Sequence, residues 1–394
     1  MKGLNKTGTE VPEILVLEIL SKLPVKSLTR FRCVCKFWSS SFQTPFFINK
    51  HHLNNLNNKN LNLLLQRCHG PNGEIHYFSQ LSTEKGQNFM VKQNIHLPIC
   101  EDYLVDPTVH GPCNGILCFD IEFKIGLWNP STRQFKILPE SSIERPPSAE
   151  STDFGCLGFG YDSLTDDYKV IRFVTNYFEY EFDGMSYYSH TIAQVDLYSL
   201  NCNSWKELPH PGADAWYTFT FHNYINGFYY WAAVGAPGYV ILSFDMVNER
   251  FSILPLPEFE GNLAQNHWEF LDFKGSLGAI VYPAKGTLKS IHVWVMSGSW
   301  TKQYSFESVP EVERPLGFWE NGKVFLESSD HELVLFDPST RELQNLGIDA
   351  YPNKMQIIVY VETLVPLNGR SELEELIMRR SPSWRPVDKI NRNR

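Results

Sequence analysis

The sequence is poor in cysteine and in long apolar runs. Eight cysteines among 394 residues are too few for the disulfide framework of a secreted scaffold. No apolar run approaches the ~20 residues that span a membrane, and the first ten residues contain no apolar segment typical of a secretory leader. We therefore expect a protein of the cytoplasm or the nucleus, with reduced thiols and no membrane contact.

The residue patterns of common catalytic and metal sites are also missing. No two cysteines have Cys-x-x-Cys spacing, and no His-Glu-x-x-His or Gly-x-Ser-x-Gly motif occurs. Gly155, Gly158 and Gly160 depart from the dinucleotide-binding fingerprint and precede no predicted helix. The sequence thus predicts no metal, no cofactor and no catalytic residue in this chain.

Negative charge is concentrated in the middle of the chain. Residues 1–50 contain 8 basic and 3 acidic residues, residues 51–369 contain 20 and 37, and residues 370–394 contain 7 and 4. A central region of net charge −17 repels phosphate backbones, so we expect no nucleic-acid partner. It would attract a basic protein and speed the encounter. The alternative is that these carboxylates only solvate a large surface.

The first fifty residues have the pattern of short helices. Pro12 suits a first helical turn, where its missing N–H costs nothing, and Leu23-Pro24 ends that helix. A second helix is predicted near residues 26–32, and a third carries Val34, Trp38 and Phe42 at intervals of four and ends before residue 45. The apolar residues cover more than one helix face, which fits either a cap on a larger domain or a surface that docks a partner.

One set of positions in this segment follows a known pattern: Pro12, Glu18, Ile19, Leu20, Leu23, Pro24, Val25, Lys26, Ser27, Leu28, Arg30, Phe31, Cys33, Val34, Cys35, Lys36 and Trp38. At these positions the segment resembles an F-box of the plant type. The resemblance implies binding to the Skp-type adaptor of cullin-based ubiquitin ligases. It implies that Cys33 and Cys35 are packing residues, and it assigns the adaptor contacts to Pro12, Ile19, Leu20, Leu23, Pro24, Leu28, Val34 and Trp38.

The remainder of the chain repeats one motif: an apolar strand, a polar turn, and an apolar residue six positions after the first residue of the turn, here called the anchor. The sequence Pro-Ser-Thr-Arg follows both Asn129 and Asp337. Asn or Asp followed by Pro favours a type I turn. Further anchors are Thr83, Ser199, Asp245 and Trp294. The six anchors are separated by 46, 70, 46, 49 and 43 residues, and the longest interval contains an insertion.

Such a period, with about four short strands per unit, indicates a β-propeller of kelch-like kind. Six anchors predict about six blades. The strand at residues 356–364 has no partner after the last anchor, so we expect it to complete the first blade and close the ring. An irregular β-sandwich is the alternative.

The predicted body is similar to the F-box-associated domain of plant F-box proteins, and in layout to the S-locus group. Gly111-Pro112-Cys113-Asn114-Gly115, Trp128-Asn129-Pro130 and Tyr168-Lys169-Val170 carry this similarity. The expected architecture is an α+β multidomain chain, with a three-helix F-box at residues 8–50 and an all-β propeller at 61–367. Residues 51–60 are predicted to be a flexible linker, and residues 368–394 a basic, partly disordered tail.

The resemblance implies a non-catalytic substrate receptor that reaches cullin and RING subunits through the adaptor. The S-locus group suggests a basic secreted ribonuclease, recognised in pollen self-incompatibility, as the substrate. We assign substrate binding to the insertion, because it places carboxylates among aromatic rings, at Tyr177, Glu179, Tyr180, Glu181 and Asp183. An ordinary solvated hairpin is the alternative. A carbohydrate-binding or catalytic propeller without a ligase role is the alternative for the whole chain.

Overall fold

Four helices precede twenty-five strands in the computed structural model, which describes residues 11–70, 75–84, 88–96, 107–121, 124–182, 185–216, 223–235, 238–258, 266–286, 288–310 and 312–367. Within these ranges no helix is long and apolar enough to cross a membrane. The helices are α1 (Glu13–Leu20), α2 (Val25–Phe31), α3 (Lys36–Ser41) and α4 (Pro45–Asn57).

Three of these helices lie where the apolar spacing predicts them, and the fourth corrects the prediction. α3 ends at Ser41, before Pro45, and Pro45 occupies the first turn of α4, where a proline without an N–H is tolerated. The Thr44 hydroxyl accepts a hydrogen bond from the Phe47 N–H and caps this helix. The predicted flexible linker at residues 51–60 is therefore mostly helix, and His51 and Asn55 on it are buried.

The first half of the ring contains three four-stranded antiparallel sheets, here called blades 1 to 3. Blade 1 consists of β25 (Gln356–Val361), β1 (Leu61–His69), β2 (Ile75–Leu81) and β3 (Val91–Ile95). Blade 2 consists of β4 (Thr108–Cys113), β5 (Ile116–Ile121), β6 (Lys124–Asn129) and β7 (Gln134–Ile137). Blade 3 consists of β8 (Ser151–Asp162), β9 (Asp167–Phe182), β10 (Met185–Ser199) and β11 (Ser204–Leu208).

The second half adds blades 4 to 6, of which blade 4 has five strands. Blade 4 consists of β12 (Asp214–Trp216), β13 (Tyr224–Ile225), β14 (Phe228–Gly235), β15 (Gly238–Asp245) and β16 (Arg250–Leu254). Blade 5 consists of β17 (Asn266–Phe273), β18 (Ser276–Pro283), β19 (Leu288–Ser297) and β20 (Ser299–Pro310). Blade 6 consists of β21 (Val312–Phe318), β22 (Val324–Ser328), β23 (Glu332–Asp337) and β24 (Glu342–Asp349). The six sheets confirm the predicted propeller.

An apolar cluster fills the space between each blade and the next. Ile171 and Phe173 of blade 3 pack with Trp231 of blade 4, for example, and the other interfaces have the same character. Blade 1 combines both ends of the propeller sequence, because β25 pairs antiparallel with β1 and aligns Val359 with Leu63. This pairing confirms the predicted closure. It also pairs β1 on both of its sides, with β25 and with β2, while β25 is the end strand of this sheet.

The repeated motif lies at the turn that joins the last two strands of a blade. The Asn129 side-chain oxygen accepts hydrogen bonds from the N–H groups of Ser131 and Thr132, at 2.9 and 3.2 Å. The turn then passes through Arg133 at φ 60° before β7 begins. Blade 5 departs from the prediction. Its turn lies at Gly298, and Trp300 pairs with Met296, so Trp294 is not the first residue of the turn.

Loss of packing at the closing strand should destabilise the whole ring. Ile358 is fully buried between blades 1 and 2, so Ile358→Ala should lower the free energy of unfolding by about 2–5 kcal/mol. Ile253→Ala, on the half-exposed outer strand of blade 4, should change it by less than about 0.5 kcal/mol. Urea denaturation followed by tryptophan fluorescence measures both values. Equal losses would contradict the buried packing of the closing strand between blades 1 and 2.

Candidate binding surfaces

The four helices form a small unit with its own apolar core. Leu20, Leu28, Phe42 and Phe47 are buried at its centre, and Trp38 packs against them. Short helices such as these leave much of their apolar surface outside so small a core. The outward faces of this unit are therefore a candidate docking surface.

The predicted adaptor contacts divide into exposed and buried groups. Ile19 and Val34 are 60% and 62% exposed. Pro12 and Pro24 are also exposed, and Leu23 and Trp38 are half-buried. Leu20 and Leu28 are only 4% and 0% exposed. This corrects the predicted set: these two side chains pack the core of the helical unit and are not exposed on its surface.

Sequence reasoning missed further exposed apolar residues on the same unit. Ile14 and Phe46 are 75% and 69% exposed, and Phe37, next to Trp38, is also exposed. Their signal is present in the sequence, since apolar residues outnumber the positions that one buried helix face can hold. Large apolar side chains that are exposed in such number on so small a unit are typical of interaction sites.

Cys33 and Cys35 also differ from their predicted role. Both are exposed in the described chain rather than packed. The Cys35 sulfur accepts a hydrogen bond from the Trp38 N–H at 3.5 Å, so this residue caps the start of α3. Among the residues that the structure describes, no group of three or more His, Cys, Asp or Glu could hold a metal ion.

Charged groups hold α1 against α4. The Glu18 carboxylate pairs with the ammonium of Lys50 on α4 and with that of Lys22 at 3.4 Å. Hydrogen bonding from Lys50, and then from Lys22, keeps the pKa of Glu18 below its ordinary value. One helical turn further, the Asn54 side chain donates to the Ser21 hydroxyl at 2.8 Å. These contacts fix the surface that α1 presents.

The insertion in blade 3 forms a hairpin that extends beyond the rest of its sheet. β8 pairs with β9 only as far as Tyr177, but β9 and β10 continue to the pair Phe182 and Met185. We call residues 178–182 with 185–189 the arm. Glu179, Tyr180 and Glu181 on it are exposed, Tyr180 by 50%, and Tyr177 at its base is half-buried. Asp183 lies outside the described residues.

The two faces of the arm differ in chemistry. Side chains alternate along a strand, so Tyr177, Glu179 and Glu181 share one face, while Tyr180 lies on the other. Phe173, on the same face as the glutamates, packs against blade 4. The acidic face therefore continues the surface of blade 3 that faces blade 4. The four described residues of the predicted substrate set thus lie on one hairpin but on two different faces of it.

Buried ion pairs anchor the base of the arm. Asp196 of β10 accepts hydrogen bonds from the guanidinium groups of Arg172 on β9 and Arg145, each with a shortest contact of 2.6 Å. Burial would raise the pKa of Asp196, but the two arginines lower it below its ordinary value. Arg172 also stacks on Phe154 at 4.1 Å. Buried charge pairs and a cation–π contact thus hold β9 and β10 together below the arm.

The helical unit and the arm lie at opposite ends of the ring. First strands of successive blades run in the same direction around a propeller axis, so all of them end on the same side. The helical unit contacts the chain just after β25, a first strand, at Glu362 and Leu364. β9 begins at that end, after the first strand β8, and runs to the other. The arm is therefore at the end remote from the helices.

Comparisons with known proteins agree with this two-part architecture. Residues 9–50 match the family model of the F-box domain, and residues 62–354 match that of the F-box associated beta propeller domain. The F-box protein CPR1 of Arabidopsis thaliana is 26% identical, over 94% of this chain and 92% of CPR1. The F-box/kelch-repeat protein At3g23880 of the same plant is 27% identical, over 91% of this chain and 96% of its own.

Neighbouring residues of α1 should respond oppositely to the same substitution. Leu20→Asp places an unpaired carboxylate in the core and should cost several kcal/mol, enough to unfold the helical unit. Ile19→Asp changes an exposed position and should leave the unit folded. Hydrogen exchange of residues 13–57 measures this difference. Similar protection in the two variants would show that the burial assignment is wrong.

Proposed function

Because the chain belongs to the family of F-box proteins with an F-box-associated β-propeller, we propose that it is the substrate-recognition subunit of a Skp–cullin–F-box ubiquitin ligase. One observation carries this proposal. An exposed apolar helical surface and a projecting acidic arm lie at opposite ends of a single ring. Such an arrangement suits a protein that links two partners.

The adaptor would bind the exposed face of the helical unit. Ile19, Val34 and the two prolines Pro12 and Pro24 offer apolar surface that a partner could remove from water. Trp38 and Leu23, half-buried at the edge, extend this surface. Leu20 and Leu28 would support it from inside. The cullin and RING subunits would then be reached through the adaptor.

The propeller would hold the target while other subunits perform the chemistry. Tethering raises the effective concentration of target lysines near the ubiquitin-charged enzyme, which is the catalytic contribution expected of a receptor. In this account the chain has no catalytic residue and needs no cofactor. The protein would act in the cytoplasm or the nucleus.

The arm would recognise a basic protein. Glu179 and Glu181 lie together on one exposed strand face, and the central region of the chain has a net charge of −17. Tyr177 adds aromatic area on that face, suited to Lys or Arg side chains, and Tyr180 does so on the other. Asp183 is part of the proposed site by sequence. A basic secreted ribonuclease, as in pollen self-incompatibility, has this chemistry and is our candidate substrate.

Adaptor binding tests the proposed function directly. Ile19→Asp should abolish co-purification with a Skp-type adaptor, because it introduces a charge into an apolar interface at a cost of several kcal/mol. Ile253→Asp, on an exposed outer strand of blade 4, is the matched control and should bind normally. A wild-type chain that fails to bind any Skp-type adaptor would favour the alternative of a carbohydrate-binding or catalytic propeller.

Charge reversal on the arm tests the substrate site. Glu179→Lys with Glu181→Lys should slow association with a purified basic secreted ribonuclease at low salt, and less so above 0.1 M, where exposed charges are screened over about 10 Å. Glu320→Lys with Glu342→Lys makes the same change in charge on blade 6, at the opposite end of the ring.

Stopped-flow association rates at two salt concentrations distinguish the two double variants. Slowing by the arm variant alone supports the site. Equal slowing by both would indicate only the net charge of the propeller, and no slowing by either would remove the arm from the site.

A further inference from the structure

Six residues after the closing strand connect the helical unit to the ring. Residues 362–367, here called the strap, continue β25 beyond its last pair with β1. Thr363 and Leu367 of the strap are buried, and the residues between them are half-buried. This degree of burial shows that the strap is packed between other elements and does not lie free on the surface.

The strap contacts the N-terminus of the second helix, α2. The Glu362 carboxylate accepts a hydrogen bond from the Val25 N–H at 2.8 Å. Pro24, the residue before α2, has no side chain that could cap this helix. A carboxylate from the far end of the sequence therefore supplies both the missing acceptor and a negative charge at the helix N-terminus.

An apolar contact accompanies this hydrogen bond. Leu364 packs against the core of the helical unit, which is formed by Leu20, Leu28, Phe42 and Phe47. The core of the helices is thus completed by a side chain that belongs to the propeller sequence. Removing Leu364 would expose part of that core to water.

The other side of the strap is bound to blade 2. The Asn129 amide donates hydrogen bonds to the carbonyl oxygens of Thr363 and Val365, at 3.2 and 2.9 Å. The Thr363 N–H donates to the Ser131 hydroxyl at 3.2 Å, and Leu367 is buried in the cluster between blades 2 and 3. Asn129 is thus both the turn residue of its repeat and an anchor for the strap.

A second, independent connection runs through α4. The His51 ring is hydrogen-bonded to the Leu23 carbonyl oxygen at 3.0 Å, and Asn55 lies 3.2 Å from the same ring. The Asn55 oxygen in turn accepts from the Asn60 side chain at 2.9 Å, one residue before β1. The two connections leave the ring side by side, since Leu61 after Asn60 pairs with Val361 before Glu362. Together they hold the helical unit through α2 and through α4.

We infer that Glu362 and Leu364 are positioning residues that set the angle between the adaptor-binding helices and the arm. The inference rests on the proposed function. A receptor with a loose joint would spread its bound target over many positions, and the effective concentration of target lysines at the ubiquitin-charged enzyme would fall. A fixed angle keeps the target within one region. The strap would thus affect ubiquitin transfer without touching either partner.

Distances between labels test the joint itself. Spin labels would be placed on Lys36→Cys in α3 and Arg250→Cys in blade 4, after Cys33, Cys35, Cys100 and Cys202 are replaced by Ser. The wild-type background should give one narrow distance distribution. The double variant Glu362→Ala with Leu364→Ala should lose it. Glu362→Gln, which keeps an oxygen acceptor for the Val25 N–H, should retain it.

The control is Glu342→Ala with Leu343→Ala, which removes the same pair of side chains at exposed positions of blade 6. It should leave the distribution narrow. An unchanged distribution in the strap variant would overturn the inference. So would a broadened one accompanied by unfolding of the propeller, which tryptophan fluorescence reports, because the strap would then be needed for folding rather than for orientation.

The functional consequence is measured on the same variants in a ligase assembled from purified adaptor, cullin and RING subunits. Self-ubiquitination of the wild-type chain should be confined to a reproducible subset of its lysines, read by mass spectrometry. The strap variant should bind the adaptor with unchanged affinity but spread modification over more lysines. An unchanged pattern would contradict a positioning role. If the wild-type chain binds no adaptor, the proposed function fails, while the distance measurement still decides the rigidity of the joint.

Discussion

The architecture depends on apolar packing between neighbouring blades, closed into a ring by the pairing of β25 with β1. A single four-stranded blade cannot bury both of its faces, so each blade is stable only between two others. Closure gives the sixth blade its second neighbour, because the cluster between blades 6 and 1 contains Leu63 and Leu65 of β1 together with Ile357 of β25. Stability therefore depends on residues from both ends of the propeller sequence.

The same closure places the helices. β1 follows α4 after three residues, and the strap follows β25 directly, so the two strands that close the ring also lead to the two connections with the helical unit. Ring closure and attachment of the helices are thus consequences of one strand pair. The arm extends from blade 3 at the end of the ring opposite to this junction.

The two proposed surfaces use different physical interactions. The helical surface is apolar and would contribute affinity through burial, while its carboxylate at Glu18 is already paired within the chain. The arm exposes acidic residues on one face, which act over a longer range and mainly on association rate. A receptor that holds one partner stably and samples another benefits from this division.

The sequence by itself determined the class of the fold, the helices up to residue 41, the place of the turns and the closing strand. These are local or periodic features: proline and Asn-Pro turns act within a few residues, and a repeat of about 45 residues shows itself without any contact being known. Sequence resemblance also identified the docking segment. It did not separate Ile19 from Leu20, because helical periodicity in a short, apolar helix marks both as hydrophobic and not which one faces inward.

Only the tertiary structure decided which residues of that segment are free to bind, and what the asparagine-rich stretch after it does. Asn54, Asn55 and Asn60 resemble a linker in composition, but here each finds a hydrogen-bond partner in α1, α4 or each other. The hydrogen bond from the Val25 N–H to the Glu362 carboxylate joins residues 337 positions apart, and no local sequence pattern indicates it. Contacts between distant residues depend on how the ring closes, and that is a property of the whole packed chain.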